Sequence, residues 1–251
     1  MFEKITGNIY IHPAETYTDR PNIGLIVGEK YSLLFDAGNS VYHVENLKNE
    51  LREQGLREPD FVVISHWHWD HSYGADAWKK TVIAGEKTNE YLKKMTSWKW
   101  DDRSMQERLE SGEDIEFCHH MVKREYPDRS IITVKTADIV FSDTLTIDLG
   151  GVTAELSHIA GPHSEDSIVC FVPEDEFLFL GDSNSKDLLN NKWHFDIEHE
   201  ELLEDEISKI PYDKVLVEEY ISRLENIPFD KCIGGHMDIM DRDGLYKMVR
   251  E

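Results

Sequence analysis

Four side chains that can bind metal ions lie within residues 66–71: His66, His68, Asp70 and His71. In an extended segment the side chains at positions i and i+2 point the same way, so His66 and His68 can reach one ion together. Asp70 and His71 follow as the backbone turns into a predicted helix, whose partly positive start favours the carboxylate form of Asp70. We therefore expect this pair to reach a second ion nearby.

Three further candidate ligands lie downstream, each after a predicted strand and beside glycine or proline. They are His163 in Gly-Pro-His-Ser, Asp182 in Leu-Gly-Asp and His236 in Gly-Gly-His. Glycine lets the backbone approach a site closely. The chain has 12 histidines, so a solvated histidine-rich loop is the alternative, but the density of ligand types in residues 66–71 argues against it. Two metal ions held in this way can make hydroxide near neutral pH.

Short apolar segments rich in β-branched and aromatic residues predict strands in both halves of the chain. The first half has strands at 9–11, 24–27, 32–35, 61–64 and 81–84, with helices at 42–55 and around 73–80. The second half has strands at 131–134, 144–149, 152–156, 167–172, 177–180 and 231–233, with helices at about 198–209, at 213–225 and at the C-terminus. This order predicts an α+β fold of two similar layers. With no Gly/Ser/Pro-rich linker between the halves, we expect one domain over residues 1–251.

Residues 86–128 are helix-prone, highly charged and free of predicted strands, which indicates a helical insertion. The insertion carries Trp98, Trp100 and Phe117, together with Met95 and Met121. Placed over the site as a lid, these side chains would select a partly apolar ligand. The alternative is that they form the insertion's own core.

The segment Ser65-His66-Trp67-His68-Trp69-Asp70-His71 resembles the His-x-His-x-Asp-His signature of the metallo-β-lactamase superfamily. His163, Asp182 and His236 follow in the order that this superfamily uses. The resemblance covers nearly the whole chain, from residues 22–27 and Phe35-Asp36-Ala37-Gly38 to Gly235-His236. It implies a four-layer αββα sandwich, but the motifs are not specific to a substrate.

The resemblance also implies a role for each candidate ligand. One metal ion would be held by His66, His68 and His163, the other by Asp70, His71 and His236, and Asp182 would bridge them. Asp36 matches an Asp-x-Gly turn near the site and can orient a ligand histidine, although a carboxylate that only caps the turn is the alternative. Imidazole and carboxylate ligands favour two Zn²⁺ ions, and iron or manganese would also fit.

The leading hypothesis is a dinuclear metal hydrolase that acts on a small ester, lactone, thioester or amide. A metal-bound hydroxide would attack the carbonyl, and Asp70 would orient it or carry its proton to the leaving atom. The alternative is an iron-dependent redox enzyme on the same fold, acting on oxygen or sulfur species. A non-catalytic binding protein would normally have lost ligands, and none is missing from the set.

Some neighbouring residues bear on the substrate. Residues 163–167 resemble the third motif of class B β-lactamases, His-Ser/Thr-x-Asp. Lys186 lies close to where some β-lactamases place a carboxylate-binding lysine, although an ordinary surface lysine is the alternative. Trp67 and Trp69, between the ligands, are expected to pack beneath or beside the site.

Composition limits the partners. The net charge of −23 repels phosphate backbones, so nucleic acid is an unsuitable partner and a small-molecule substrate is expected. No stretch reaches the roughly 20 apolar residues of a membrane helix, and we expect no membrane association. Three cysteines far apart and the absence of a signal-peptide pattern favour the cytoplasm. The oligomeric state stays open.

Overall fold

Two mixed β-sheets lie face to face in the computed structural model, which describes residues 1–191, 193 and 203–251. The first sheet has the spatial order β1 to β7: Glu3–Thr6, Ile9–His12, Ile23–Val27, Ser32–Phe35, Phe61–Ile64, Thr81–Gly85 and Ile139–Phe141. Strands β1 to β4 pair antiparallel, whereas β4 to β7 run parallel. The carboxyl ends of β4 and β5 therefore meet at one edge, where Asp36 and the segment 65–71 follow.

The second sheet has the order β13-β12-β11-β10-β9-β8. Its strands are β8 Thr144–Asp148, β9 Thr153–His158, β10 Ile168–Val172, β11 Phe177–Gly181, β12 Lys231–Gly234 and β13 Met240–Asp241. Only β11 and β12 are parallel neighbours. Asp182 and His236 come after these two strands, so both lie beyond the same end of the sheet.

Burial on both faces explains why the central strands read as continuous apolar runs. In β5, Val63 packs between the sheets with Phe35 and Phe179, whereas Val62 and Ile64 point to the helical side. The outer face of the second sheet packs against a third apolar cluster. The resulting layers are helix, sheet, sheet and helix, which confirms the predicted αββα sandwich.

Helices α1 Val41–Gln54, α2 Trp69–Ser72 and α3 Ala75–Trp78 lie in the half of the chain that builds the first sheet. The Ser40 side chain caps α1 by accepting from the His43 amide, and Gly55 ends it with a left-handed φ of 65°. Beyond β11 come α7 Leu203–Ser208, α8 Lys214–Leu224 and α9 Arg242–Arg250. Val217, Ile221 and Leu245 from α8 and α9 pack on the second sheet.

The insertion predicted at 86–128 is helical. It consists of α4 Glu86–Met95, α5 Asp102–Ser111 and α6 Glu116–Glu125. Met95, Met105 and Met121 are buried and join the core on the helical side of the first sheet. The Arg108 guanidinium contacts two neighbouring indole rings, 4.5 Å from the centroid of Trp98 and 4.7 Å from that of Trp100. Cation–π contacts of this kind fix the orientation of both rings.

Two predictions about elements need correction. No strand forms at 131–134: residues 129–131 make a 3-10 turn, and the edge position beside β6 is taken by β7. The helix expected around 73–80 is two short helices, Trp69–Ser72 and Ala75–Trp78, because the Gly74 amide between them donates to the Gly38 carbonyl oxygen at 2.8 Å and not to the preceding turn. The helix expected at 198–209 is observed as Leu203–Ser208, and its first residues lie outside the described part of the chain. Strand β1 was not predicted.

Candidate metal centre

All seven predicted ligands meet at the end of the sandwich where β5, β11 and β12 terminate. Their donor atoms form two groups, and within each group the atoms lie within 4.8 Å of one another. The first group is His66, His68 and His163; the second is Asp70, His71, Asp182 and His236. This grouping matches the implied division for six of the residues; Asp182, which the resemblance implied as a bridge, falls in the second group.

In the first group, ring nitrogens of three histidines face one another. His163 Nδ1 lies 2.7 Å from the Lys186 carbonyl oxygen, which can only accept, so Nδ1 donates and the opposite nitrogen, Nε2, is directed at the site. That Nε2 atom is 2.9 Å from Nδ1 of His68. His66 Nδ1 lies 3.0 Å from the Ser65 hydroxyl, and its Nε2 is buried without a hydrogen-bond partner. One nitrogen from each of the three rings thus lies close enough to the others to bind a single ion.

The second group is organised around the Asp70 carboxylate. Asp70 Oδ2 lies 2.9 Å from His71 Nε2 and 3.1 Å from His236 Nε2. The other nitrogen of His71, Nδ1, is 2.8 Å from Asp36 Oδ2. Asp36 is buried, and its Oδ1 accepts the Ser65 amide at 2.8 Å. Asp36 therefore contacts the far side of the His71 ring, and it also holds the backbone at the start of the ligand loop.

Asp182 belongs to the second group and also approaches the first. Its Oδ1 is 3.5 Å from His71 Nε2, and its Oδ2 is 3.8 Å from His163 Nε2 and 3.7 Å from His236 Nε2. A Cβ on Gly235 would lie 2.1 Å from Asp182 Oδ1, so glycine is required there for the close approach. This position suits a carboxylate that contacts two ions.

Burial and the neighbouring histidines keep two rings of the first group, His66 and His68, neutral. Burial lowers the pKa of His66 well below its ordinary value, and the neighbouring His71 and His68 add to the effect. Burial, followed by His163, lowers the pKa of His68 to about 3. Neutral imidazole is the form that binds metal ions.

In the second group, nearby carboxylates raise the pKa values of the histidines, so positive charge is favoured there. Burial alone would lower the pKa of His71, but Asp70, Asp36 and Asp182 together raise it well above its ordinary value. Burial likewise opposes the charged form of His236, and Asp182 and Asp70 raise its pKa to about 9. Burial would raise the pKa of Asp182, yet His236 and His71 lower it well below its ordinary value. Any cation, proton or metal, is stabilised at this position.

The donor set fits metal ions. Three buried atoms of the candidate ligands have no hydrogen-bond partner: His66 Nε2, His71 Nε2 and Asp182 Oδ1. Orphaned polar atoms of this kind are costly in a protein interior, and a bound cation would satisfy them. Imidazole nitrogen and carboxylate oxygen, with no thiolate, suit zinc and other borderline divalent ions.

Two acidic residues near the site had no role in the sequence-based prediction. Asp166 is fully buried, and its Oδ2 accepts the Trp67 amide at 2.9 Å, which fixes the loop between His66 and His68. Its place in the motif at 163–167 was a signal that could have been used. Asp19 has a left-handed φ of 56°, and its Oδ1 lies 4.0 Å from His236 Nδ1. No pattern in its segment marks Asp19.

A cavity of about 630 Å³ opens directly over the two groups. His68, Asp70, His163, Asp182 and His236 form its floor, and side chains from the insertion contribute to its wall. Trp67 lines the cavity and stacks on Tyr91 at a centroid distance of 5.1 Å, whereas Trp69 is buried and also reaches the lining. Lys186 lines the cavity as well, but its Nζ donates to the Ser208 carbonyl oxygen at 2.8 Å.

Comparison with known families decides the classification. The family model described as "Metallo-beta-lactamase superfamily" matches residues 16–206, more than half of the chain. The chain belongs to the metallo-β-lactamase superfamily. A comparison with curated proteins gives no match.

Several solved structures share the fold at low sequence identity. A metallo-β-lactamase from Pontibacter korlensis is 18% identical with a TM-score of 0.63, and the match covers 100% of this chain and 99% of that one. The metallo-β-lactamase DIM-1 is 17% identical with a TM-score of 0.58, over 100% and 96% of the two chains. The sec-alkylsulfatase Pisa1 from Pseudomonas sp. is 15% identical with a TM-score of 0.66, over 99% of this chain and 40% of that one.

Within the described ranges, no helix combines the length and the apolar character needed to cross a bilayer.

Proposed function

We propose that the protein is a dinuclear metal-dependent hydrolase that acts on a small ester, lactone, thioester or amide. The observation that carries the proposal is the pair of ligand groups, with Asp182 of the second approaching the first, on the floor of an open cavity. His66, His68 and His163 would hold one ion, Asp70, His71 and His236 the other, and Asp182 would contact both. Zinc is the proposed metal because the donors are imidazole and carboxylate.

Two divalent ions bound here would supply a nucleophile, by lowering the pKa of water, and would polarise a carbonyl oxygen. The protein's own residues provide orientation and proton transfer. Asp36 accepts a hydrogen bond from the His71 ring, and the Lys186 carbonyl oxygen accepts one from the His163 ring. In each ring the opposite nitrogen is therefore directed at the site. Asp70 faces the cavity and would accept a proton from the attacking water and deliver it to the leaving atom.

The cell compartment and the kind of partner follow as further parts of the proposal. Cys118, Cys170 and Cys232 are free thiols, which suits the reducing cytoplasm. The cavity is enclosed enough for a small molecule, and a net charge of −23 disfavours nucleic acid.

A test combines metal content with a substrate panel. Protein purified without added metal is expected to contain two zinc ions per chain by elemental analysis, and to hydrolyse at least one class among lactones, thioesters, activated esters and amides. Bound iron with oxygen-dependent turnover would instead support the redox alternative.

Matched variants give the test its control. His68→Ala and Asp70→Ala should lose hydrolysis by about 10³-fold or more, as expected when a metal or a proton-transfer group is removed. His120→Ala changes a histidine in α6 outside both groups and should retain wild-type activity. Full activity of either site variant would refute the proposal.

A further inference from the structure

We propose that the substrate carries an uncharged, apolar chain next to its scissile bond, and that this chain lies between the insertion and the segment after β11. The inference rests on the proposed function and adds the substrate class.

The first support is the apolar wall of the cavity. Trp98, Trp100 and Phe117 of the insertion line one part of it, and Leu188 and Leu189 from the segment after β11 line another. Both tryptophans and both leucines are only partly buried, although each packs against the core. The two tryptophans and the two leucines are therefore not fully buried in the core, and each exposes apolar surface that a ligand can contact.

The second support is rigidity. Arg108 is 5% exposed and stacks on Trp98 and Trp100, so the two indoles are held before any ligand arrives. A preformed apolar surface binds an apolar chain without a large ordering cost.

The third support is charge. In addition to the candidate ligands, four acidic residues line the cavity: Asp19, Glu113, Asp114 and Glu251. Among the lining residues that the structure describes, Lys186 alone has a permanently cationic side chain, and its Nζ is directed at the Ser208 carbonyl oxygen and lies 5.1 Å from the Tyr212 ring centroid. A carboxylate at the far end of a substrate would be desolvated beside acidic groups.

The cavity connects these walls to the reaction centre. The same continuous space of about 630 Å³ contacts Asp70, Asp182 and His163 and reaches Trp98 and Leu189. This volume lies within the roughly 300–1,000 Å³ typical of small-molecule sites, so a chain of several methylenes fits. A substrate held with its carbonyl at the ligand groups would extend its chain along the aromatic wall.

The test uses zinc-loaded protein and 4-nitrophenyl esters with acyl chains from acetyl to decanoyl. We expect kcat/KM to rise about two- to fourfold per methylene until the cavity is filled. Esters of equal length that end in a carboxylate should react at least about tenfold more slowly than the neutral ester. Esters that end in a trimethylammonium group should also react more slowly than the neutral ester, because Arg108 already occupies faces of Trp98 and Trp100 and the apolar wall would desolvate a second cation.

Alanine variants of cavity-lining residues test where the acyl chain of the substrate binds. Phe117→Ala and Leu188→Ala should each lower the ratio of decanoyl to acetyl kcat/KM by about threefold or more, in proportion to the apolar contact removed. Leu109→Ala, in the same insertion but outside the cavity, should keep the wild-type ratio. Two zinc ions per chain and an unchanged circular dichroism spectrum would show that each variant is folded.

Each outcome bears on a specific claim. Hydrolysis of the acetyl ester with no gain from chain length, or with equal rates for the carboxylate-ended ester, overturns this inference and leaves the proposed function standing. A faster rate for the ammonium-ended ester overturns the uncharged assignment. If the zinc-loaded protein hydrolyses no ester, lactone, thioester or amide, the proposed function fails and this inference fails with it.

Discussion

Asp36 Oδ2 lies 2.8 Å from Nδ1 of His71, and both side chains are fully enclosed. The other oxygen of Asp36 accepts the Ser65 amide at 2.8 Å. One carboxylate at the end of β4 thus sets both the ring of a candidate ligand and the start of the ligand loop after β5. The parallel pairing of β4 and β5 makes this possible, because it brings their carboxyl ends together.

Asp36→Ala should therefore weaken metal binding by about 10–100-fold, the usual effect of removing the residue that orients a ligand histidine. Competition with a chromophoric zinc chelator measures the affinity. Asp60→Ala is the matched control, since Asp60 accepts the Ser32 amide at the opposite end of β4. Equal affinities in wild type and Asp36→Ala would contradict the orienting role.

Asp166 is predicted to stabilise the ligand loop through the Trp67 amide. Asp166→Ala leaves that amide without its acceptor and removes the partner of the Ser164 hydroxyl, 2.5 Å away. We expect the free energy of unfolding in urea to fall by about 1–3 kcal/mol, the cost of a buried unsatisfied group. Asp166→Asn keeps one acceptor oxygen and should recover part of the loss. Unchanged stability of the alanine variant would mean that the loop is fixed by other contacts.

Glu125 joins the insertion to the segment before β3. This buried carboxylate accepts from Arg20 Nη2 at 3.0 and 3.1 Å and from the Ser40 hydroxyl, and the following residue, Tyr126, donates its hydroxyl to the Asn39 carbonyl oxygen at 2.9 Å. Breaking a fully buried ion pair costs about 3–5 kcal/mol, and partial exposure of Arg20 reduces the expected loss for Glu125→Ala to about 2 kcal/mol.

Urea unfolding measures this loss. The control is Glu107→Ala, which breaks an exposed pair with Arg103 in the same insertion and should cost less than about 1 kcal/mol. Similar losses of unfolding free energy in the two variants would show that burial of the Glu125–Arg20 pair does not add to stability.

His43 should make the protein less stable as the pH falls. Burial, followed by the nearby Arg20 and His12, lowers the pKa of His43 well below its ordinary value of 6.5, so the folded protein keeps this ring neutral. The unfolded chain binds a proton there below pH 6.5, and stability is therefore present above that pH and lost below it.

At constant zinc concentration, His43 should contribute a slope of up to about 1.4 kcal/mol per pH unit between pH 6 and 5. Urea unfolding of the wild type and of His43→Asn at pH 5, 6 and 7 measures the difference, in which the contributions of other groups cancel. An identical pH dependence in the two proteins would exclude the effect.

Much of the candidate site could be predicted from sequence because its ligands are concentrated at strand ends. The i, i+2 spacing of His66 and His68 and the glycines beside Asp182 and His236 are local features that survive folding unchanged. Strand positions inside the sandwich were equally clear, since apolar runs such as 61–64 and 177–180 are buried on both faces.

The remaining features depend on contacts between distant segments. Residues 131–134 have suitable residues for a strand, yet the place beside β6 belongs to Ile139–Phe141, and sequence pattern does not reveal that competition. Asp19 and Asp166 acquire their roles only when loops far apart in sequence meet at the ligand loop. The apolar wall of the cavity likewise forms only on folding, because it combines the insertion with Leu188 and Leu189.

The most direct test of the central claim is a zinc titration of metal-free protein, with hydrolysis of a reactive ester or lactone as the readout. Two ligand groups that share Asp182 predict no hydrolysis after chelation and a rate that reaches its plateau at two zinc ions per chain. The His68→Ala variant should reach no such plateau. Full hydrolysis by the metal-free protein would contradict the account.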